Sequence, residues 1–136
     1  MRKTRKALEL MRNGSESGLS TAWEMPIGRL LAQFADVPGA AVWVMLPSPT
    51  MRAVVHAAAR HAGLHAIDGP EVLRQEEVRD ALAQASPAVV VCPPEVFGWV
   101  SKLAFLQGCR AVYTCGADGA GTLLDRAAHF ATAAGT

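Results

Sequence analysis

Cys92 and Cys115 offer one kind of chemistry. Each ends an apolar run and stands close to a helix start, where the helix dipole lowers a thiol's pKa and favours the nucleophilic thiolate. No sequence feature sets a histidine beside either. Ser48 and Thr50 offer a second kind. They flank Pro49 at a helix start, with Arg52 just inside, and a helix N-terminus attracts phosphate or carboxylate. The plainer use of such hydroxyls is N-capping. Asp118 sits in Gly116-Ala117-Asp118-Gly119-Ala120-Gly121, a glycine-rich stretch that has neither the GxxxxGK[ST] order of a phosphate loop nor the GxGxxG order of a dinucleotide fingerprint. His56, His61 and His65 lie near one another in sequence. Five residues separate the first two, so they point about 140° apart on a helix. That spacing does not chelate, and no metal site is expected. No Ser-His-Asp order and no GxSxG elbow occurs. Catalytic residues therefore stay unassigned, and no cofactor is implied.

These residues need a frame, and Ala40 to Gly63 supplies its pattern. Ala40-Ala41-Val42-Trp43-Val44-Met45-Leu46 is an apolar run of strand length. Pro47-Ser48-Pro49-Thr50 stops it, a helix over 51–62 follows, and Gly63 closes the unit. A strand without polar alternation is covered on both faces, as in a parallel sheet between helices. The unit recurs. Leu64-His65-Ala66-Ile67 predicts a second strand, with Pro70 opening a helix over 71–85. Ala88-Val89-Val90-Val91-Cys92 predicts a third, with a helix over 95–107. Cys109 to Cys115 predicts a fourth, with a helix over 122–133.

Upstream, Thr21 and Glu24 have capping-box spacing, with Ser20 as the other candidate cap. Ile27, Leu30, Leu31 and Phe34 recur at helical intervals, which predicts a helix over 22–35. Residues 2–12 read as a basic helix, and Asn13 to Gly18 as a polar connector. The expected organisation is an arm over 1–18 and one α/β domain over 19–136. The fold class is a three-layer sandwich. Its four-stranded, mostly parallel sheet is Rossmann-like or flavodoxin-like and is preceded by one or two N-terminal helices. Ligands of such sheets sit beyond the strands' carboxyl ends. There the candidate ligand-binding residues are Ser48, Thr50, Arg52, Cys92 and Asp118.

Composition narrows the class. Of 136 residues, 51% are hydrophobic and 18% charged, below the roughly 25% charged of an average domain. Two readings follow: a sheet buried on both faces, or a surface covered by a partner or a second copy. A net charge of +1 excludes a basic footprint over the whole domain. Arg2, Lys3, Arg5, Lys6 and Arg12 are concentrated at the start, where they suit nucleic acid or an acidic partner, or form a solvated terminus. Three cysteines without a CxxC pair, and no secretory leader, point to a reducing, cytoplasmic setting. No apolar run reaches membrane-spanning length.

The order of features also carries a resemblance. Ser20-Thr21-Ala22-Trp23-Glu24 opens a helix. Pro38-Gly39, Val42-Trp43-Val44-Met45-Leu46-Pro47-Ser48-Pro49 and an alanine-rich helix ending Ala62-Gly63-Leu64 follow. The helix ending at Ala85 and Pro87-Ala88-Val89-Val90-Val91 complete the series. Over residues 20–115 this series resembles the N-terminal subdomain of adenylate-forming enzymes, the acyl-CoA synthetase and peptide-synthetase adenylation superfamily. Ala40-Ala41 departs from that family's acidic-basic pair, and Ile67-Asp68-Gly69-Pro70 only loosely matches its proline-containing segment. The family's ATP loop and catalytic lysine lie downstream of this subdomain, so the resemblance carries no catalytic residue over. It implies a non-catalytic module that docks on a partner protein or on itself. The alternatives are a small-ligand or nucleotide-binding domain, enzymatic or not, working at the strand ends, and a nucleic-acid-associated regulator working through the basic arm.

Overall fold

In the computed structural model, residues 16–69 and 74–135 are described. Helix α1 (Glu16–Ala32) leads into β1 (Ala41–Val44), α2 (Pro49–Ala62) and β2 (His65–Asp68). Then come α3 (Gln75–Ala85), β3 (Val89–Cys92), a 3-10 turn (Pro94–Val96), α4 (Phe97–Leu106), β4 (Ala111–Thr114) and α5 (Thr122–Gly135). The four strands form one sheet in the order β2-β1-β3-β4, and every pairing is parallel. That order is the flavodoxin-like one, which settles the alternative the sequence left open.

Strand composition explains the order. β1 and β3, the two uninterrupted apolar strands, are fully buried and pair centrally, with Trp43 opposite Val90. β2 and β4 hold the edges and are partly exposed. Two cores result. On one face α1, α2 and α5 cover Val42, Val44, Val89 and Val91; Ile27, Val55 and Leu123 lie among them. On the other face α3 and α4 cover Trp43, Met45, Val90 and Cys92, with Val78 and Leu82. Alternate residues of one strand thus feed opposite layers, as the period of two requires.

Helix α2 starts and stops where its residues dictate. Ser48 Oγ accepts the Met51 N–H at 3.3 Å, and Pro49 occupies the first turn, where its missing N–H costs nothing. At the other end Gly63 adopts φ 83°, and the Leu64 N–H donates to Ala59 O at 2.9 Å in a Schellman-type close. Helices α1 and α2 cross closely at Gly28, where an added Cβ would stand 3.3 Å from Ala58 O.

Several expectations need correction. Helix α1 begins at Glu16, within the stretch read as a connector, and ends at Ala32. Ser20 and Thr21 therefore lie inside it and are not caps. Phe34 falls in the turn beyond, packed against the first core and edge-on to Tyr113. The expected 95–107 helix is divided, because Pro93 and Pro94 favour a 3-10 turn before α4. The basic residues 2–12, Pro70 and the expected start of the 71–85 helix lie outside the described residues. Among the described residues no helix is long and apolar enough to cross a membrane.

Candidate functional site

Neighbouring strands β1 and β3 send their following helices to opposite faces, α2 to one and α4 to the other. This divergence is the switch point at which a crevice opens in a parallel sheet. Three segments cap that edge: Met45–Pro49 after β1, Pro93–Val96 after β3, and Cys115–Gly121 after β4. The last two are adjacent. The Cys115 N–H donates to Cys92 O at 3.0 Å, and a Cβ on Gly116 would lie 4.0 Å from Pro94 Cδ.

The candidate side chains are mostly engaged with nearby backbone. Ser48 caps α2. Arg52 folds back over its own loop, its Nε donating to Leu46 O at 3.1 Å and an Nη to Pro47 O at 3.4 Å. Thr50 is half-buried in the first turn of α2. Asp118 accepts the Ala120 N–H at 3.0 Å, inside a loop closed by Gly116 N–H to Ala120 O at 2.8 Å. The structure thus brings Cys92 and the Asp118 loop together at one rim. Among the described residues no hydrogen bond joins Ser48 or Arg52 to Cys92 or Asp118.

The loop is fastened at its far end too. The Thr114 N–H donates to Thr122 Oγ1 at 2.8 Å, and the Thr122 N–H donates to Thr114 Oγ1 at 3.0 Å. This reciprocal pair binds the last residue of β4 to the first of α5.

The thiols run against the nucleophile expectation. Burial pushes Cys92 up to about 12, and Glu95 adds to the rise. Burial likewise pushes Cys115 up to about 12, helped by Asp118. Desolvation and a nearby carboxylate both disfavour the thiolate, and they outweigh the helix start. A pH dependence follows. The ordinary thiol value is 9.0, so below pH 9 folded and unfolded chains both keep the protons. Between 9 and 12 only the folded chain keeps them, so stability falls as pH rises. At pH 10 the loss is about 1 kcal/mol for each thiol. Urea midpoints at pH 8 and pH 10 will measure it. A Cys92→Ala variant with an undiminished slope would refute the assignment.

The histidines serve as structural partners. His56 Nε2 meets Asp68 Oδ1 at 2.7 Å, joining α2 to the end of β2. His61 pairs with Glu24, joining α2 to α1. A depression of about 350 Å³ lies beside the first pair, lined by Ala53, His56, Arg60, Leu64, His65 and Ala66. Among the described residues no group of three His, Cys, Asp or Glu side chains is arranged to hold a metal ion.

The feature that motif reading missed is α4. Its buried residues are Val100, Ser101 and Ala104, yet Phe97, Phe105 and Leu106 are exposed. The signal was available: Phe97 to Leu106 contains one charged residue, Lys102, and no polar stripe. A helix apolar all round is normally covered all round.

Comparison with known proteins gives the architecture a context. No protein-family model and no curated protein sequence matches the chain. Solved structures do. ATP-bound MatB from Rhodopseudomonas palustris superposes with a TM-score of 0.73 at 25% identity, over 80% of this chain and 22% of that one. The anthranilate CoA ligase AuaEII, in complex with anthranoyl-AMP, gives 0.67 at 11% identity, over 80% and 21%. The amide bond synthetase McbA from Marinactinospora thermotolerans gives 0.62 at 17% identity, over 84% and 26%. The chain spans about a fifth to a quarter of the length of these enzymes. What it shares with them is a fold, that of the N-terminal subdomain of adenylate-forming enzymes.

Proposed function

We propose that this chain is a non-catalytic α/β module that works by docking on protein. The observation that carries this reading is the last turn of α4, where Phe105 is 52% exposed and Leu106 79%. Half-buried Trp99 and Leu103 stand on the same side of this ten-residue helix as Leu106, at i, i+4 and i+7 spacing, an apolar surface of the kind that marks an interface. The strand-end rim supports the same reading. Ser48, Arg52 and Asp118 serve their own loops, and both rim thiols are held protonated. Such groups stabilise a turn; they do not attack or transfer.

Two measurements test it on the full chain. An apolar fluorescent dye should bind the native protein and lose that binding in Phe105→Lys with Leu106→Lys. A thermal-shift series with ATP, AMP, coenzyme A and acetyl phosphate should leave the midpoint in place. A ligand at 100 times its Kd would add about 2.7 kcal/mol. A clear shift that disappears in Arg52→Ala would overturn the reading and move function to the rim. So would a native protein that takes up no dye.

A further inference from the structure

We infer that the outer edge of β2, with the groove between it and α2, takes an extended acidic segment of another protein as an added strand. β2 closes one end of the sheet, and among the described residues no strand lies beyond it. The His65 N–H donates to Ala40 O at 3.0 Å and the Gly69 N–H to Val44 O at 2.8 Å, so residues 65, 67 and 69 turn their backbone groups to β1. The alternation of a parallel ladder then turns the N–H and C=O of Ala66 and of Asp68 outward. Among the described residues no backbone group answers them. Such an edge is a template for one more strand. The side chains alternate too. Leu64 and Ala66 pack into the first core under α2, and Asp68 meets His56 of α2 at 2.7 Å, so positions 64, 66 and 68 share the α2 side. A strand laid along β2 must turn every second side chain to that side, where the depression of about 350 Å³ lies. Its α2 wall is Ala53, His56 and Arg60, one stripe at i, i+3 and i+7.

Charge names the occupant. Arg60 is exposed on this wall, and among the described residues its guanidinium has no ion pair. His56 is held by Asp68, so Arg60 is the cation of the α2 wall left to meet an arriving side chain. A carboxylate at an α2-facing position of the added strand is attracted to it, and an ammonium there is repelled. Main-chain bonds along the edge supply affinity, and the groove supplies the choice of side chain. The strands this chain could itself offer lack the charge. Its first dozen residues are mostly basic. A second copy would offer β2, where Ala66 and the preceding Leu64 are uncharged and Asp68 is already engaged with His56.

The probe is a fluorescein-labelled peptide of about eight residues, alternating valine and glutamate, titrated into the full chain and followed by fluorescence anisotropy. It should bind saturably below about 1 mM, and the same peptide with lysine for glutamate should bind at least about tenfold more weakly. Methylating the amides of one alternate set of peptide residues should abolish binding, and methylating the other set should spare it, because only one set of N–H groups faces β2. Arg60→Glu should weaken the glutamate peptide at least about tenfold. Arg126→Glu, the same change on α5 beside the opposite edge strand β4, should leave it within about threefold. Both arginines are exposed, so both variants should fold; if one does not, the methylated peptides still decide. Absence of binding, equal binding of the glutamate and lysine peptides, or like behaviour of the two methylated sets overturns the inference. So does a loss with Arg126→Glu as large as that with Arg60→Glu. A dimer of the chain that excludes the peptide and survives Arg60→Glu gives the edge to a second copy and overturns it too. None of these readouts involves α4, so the docking reading above stands or falls on its own dye and thermal-shift results.

Discussion

Gly121→Ala is expected to cost about 3–5 kcal/mol of stability, more than any substitution on the surface. Two effects add. Gly121 sits at φ 149°, a conformation open essentially to glycine alone, worth about 1–3 kcal/mol when another residue is forced into it. A Cβ there would also stand 2.3 Å from Thr114 O and 2.7 Å from Thr114 C. Those are backbone atoms of β4, so relief requires moving the strand or the start of α5. Either movement breaks the reciprocal Thr114–Thr122 hydrogen bonds. Since domains of this kind hold only about 5–15 kcal/mol in total, the variant will be close to unfolded at 37 °C. Urea unfolding is the measurement, and a loss below about 1 kcal/mol would mean the loop adapts freely. Gly98→Ala is the control. With open space around it and a helical backbone, it should be neutral or stabilising by up to about 1 kcal/mol.

The second large effect is expected from Trp43→Ala, at about 3–5 kcal/mol. Trp43 is almost wholly buried at the centre of β1, packed in the core that α3 and α4 cover. Gly69 is pressed against it, its notional Cβ 3.3 Å from the indole ring and 2.9 Å from Met45. Removing the indole leaves a cavity that rigid strands on both sides cannot close. The midpoint in urea should fall with little change in slope. A loss under about 1.5 kcal/mol would show that the layer repacks and that α4 is not anchored through Trp43.

Much of this architecture is legible in the residues alone, and the reason differs by element. The unbroken apolar character of Val42–Leu46 and Val89–Cys92 reports burial on both faces, so these strands had to be central. Ser48, Pro49 and Gly63 mark the ends of α2 through their own conformational limits. Strand order is not encoded in that way. An apolar strand states that it is covered, not which strand lies beside it, so Rossmann-like and flavodoxin-like arrangements fit the pattern equally. The start of α1 was misplaced because a capping-box spacing at Thr21 also fits a helix interior.

The candidate site was legible only in position. Chain topology fixes that Ser48, Cys92 and Asp118 meet the carboxyl edge of the sheet. It does not fix what their side chains do there. Arg52 turns to Leu46 O and Pro47 O, and burial, with Glu95 and Asp118 adding to it, pushes the two rim thiols' pKa values up. Desolvation depends on everything packed around a group, which no short window of sequence contains. Helix α4 presents the reverse case. Its composition reads as core, and only the three-dimensional arrangement shows that half of it faces outward.

One arrangement bears on how the chain comes to be folded. The first helix described, α1, and the last, α5, lie against each other over the same side of the sheet. Synthesis proceeds from the amino end, so Ile27 and Leu31 must wait for Leu123, Leu124 and Ala127 to emerge before that layer closes. Until then the nascent chain presents an oily, half-roofed platform to the ribosome exit and to chaperones. A stop codon placed just after the glycine loop would therefore remove a roof rather than shorten a tail.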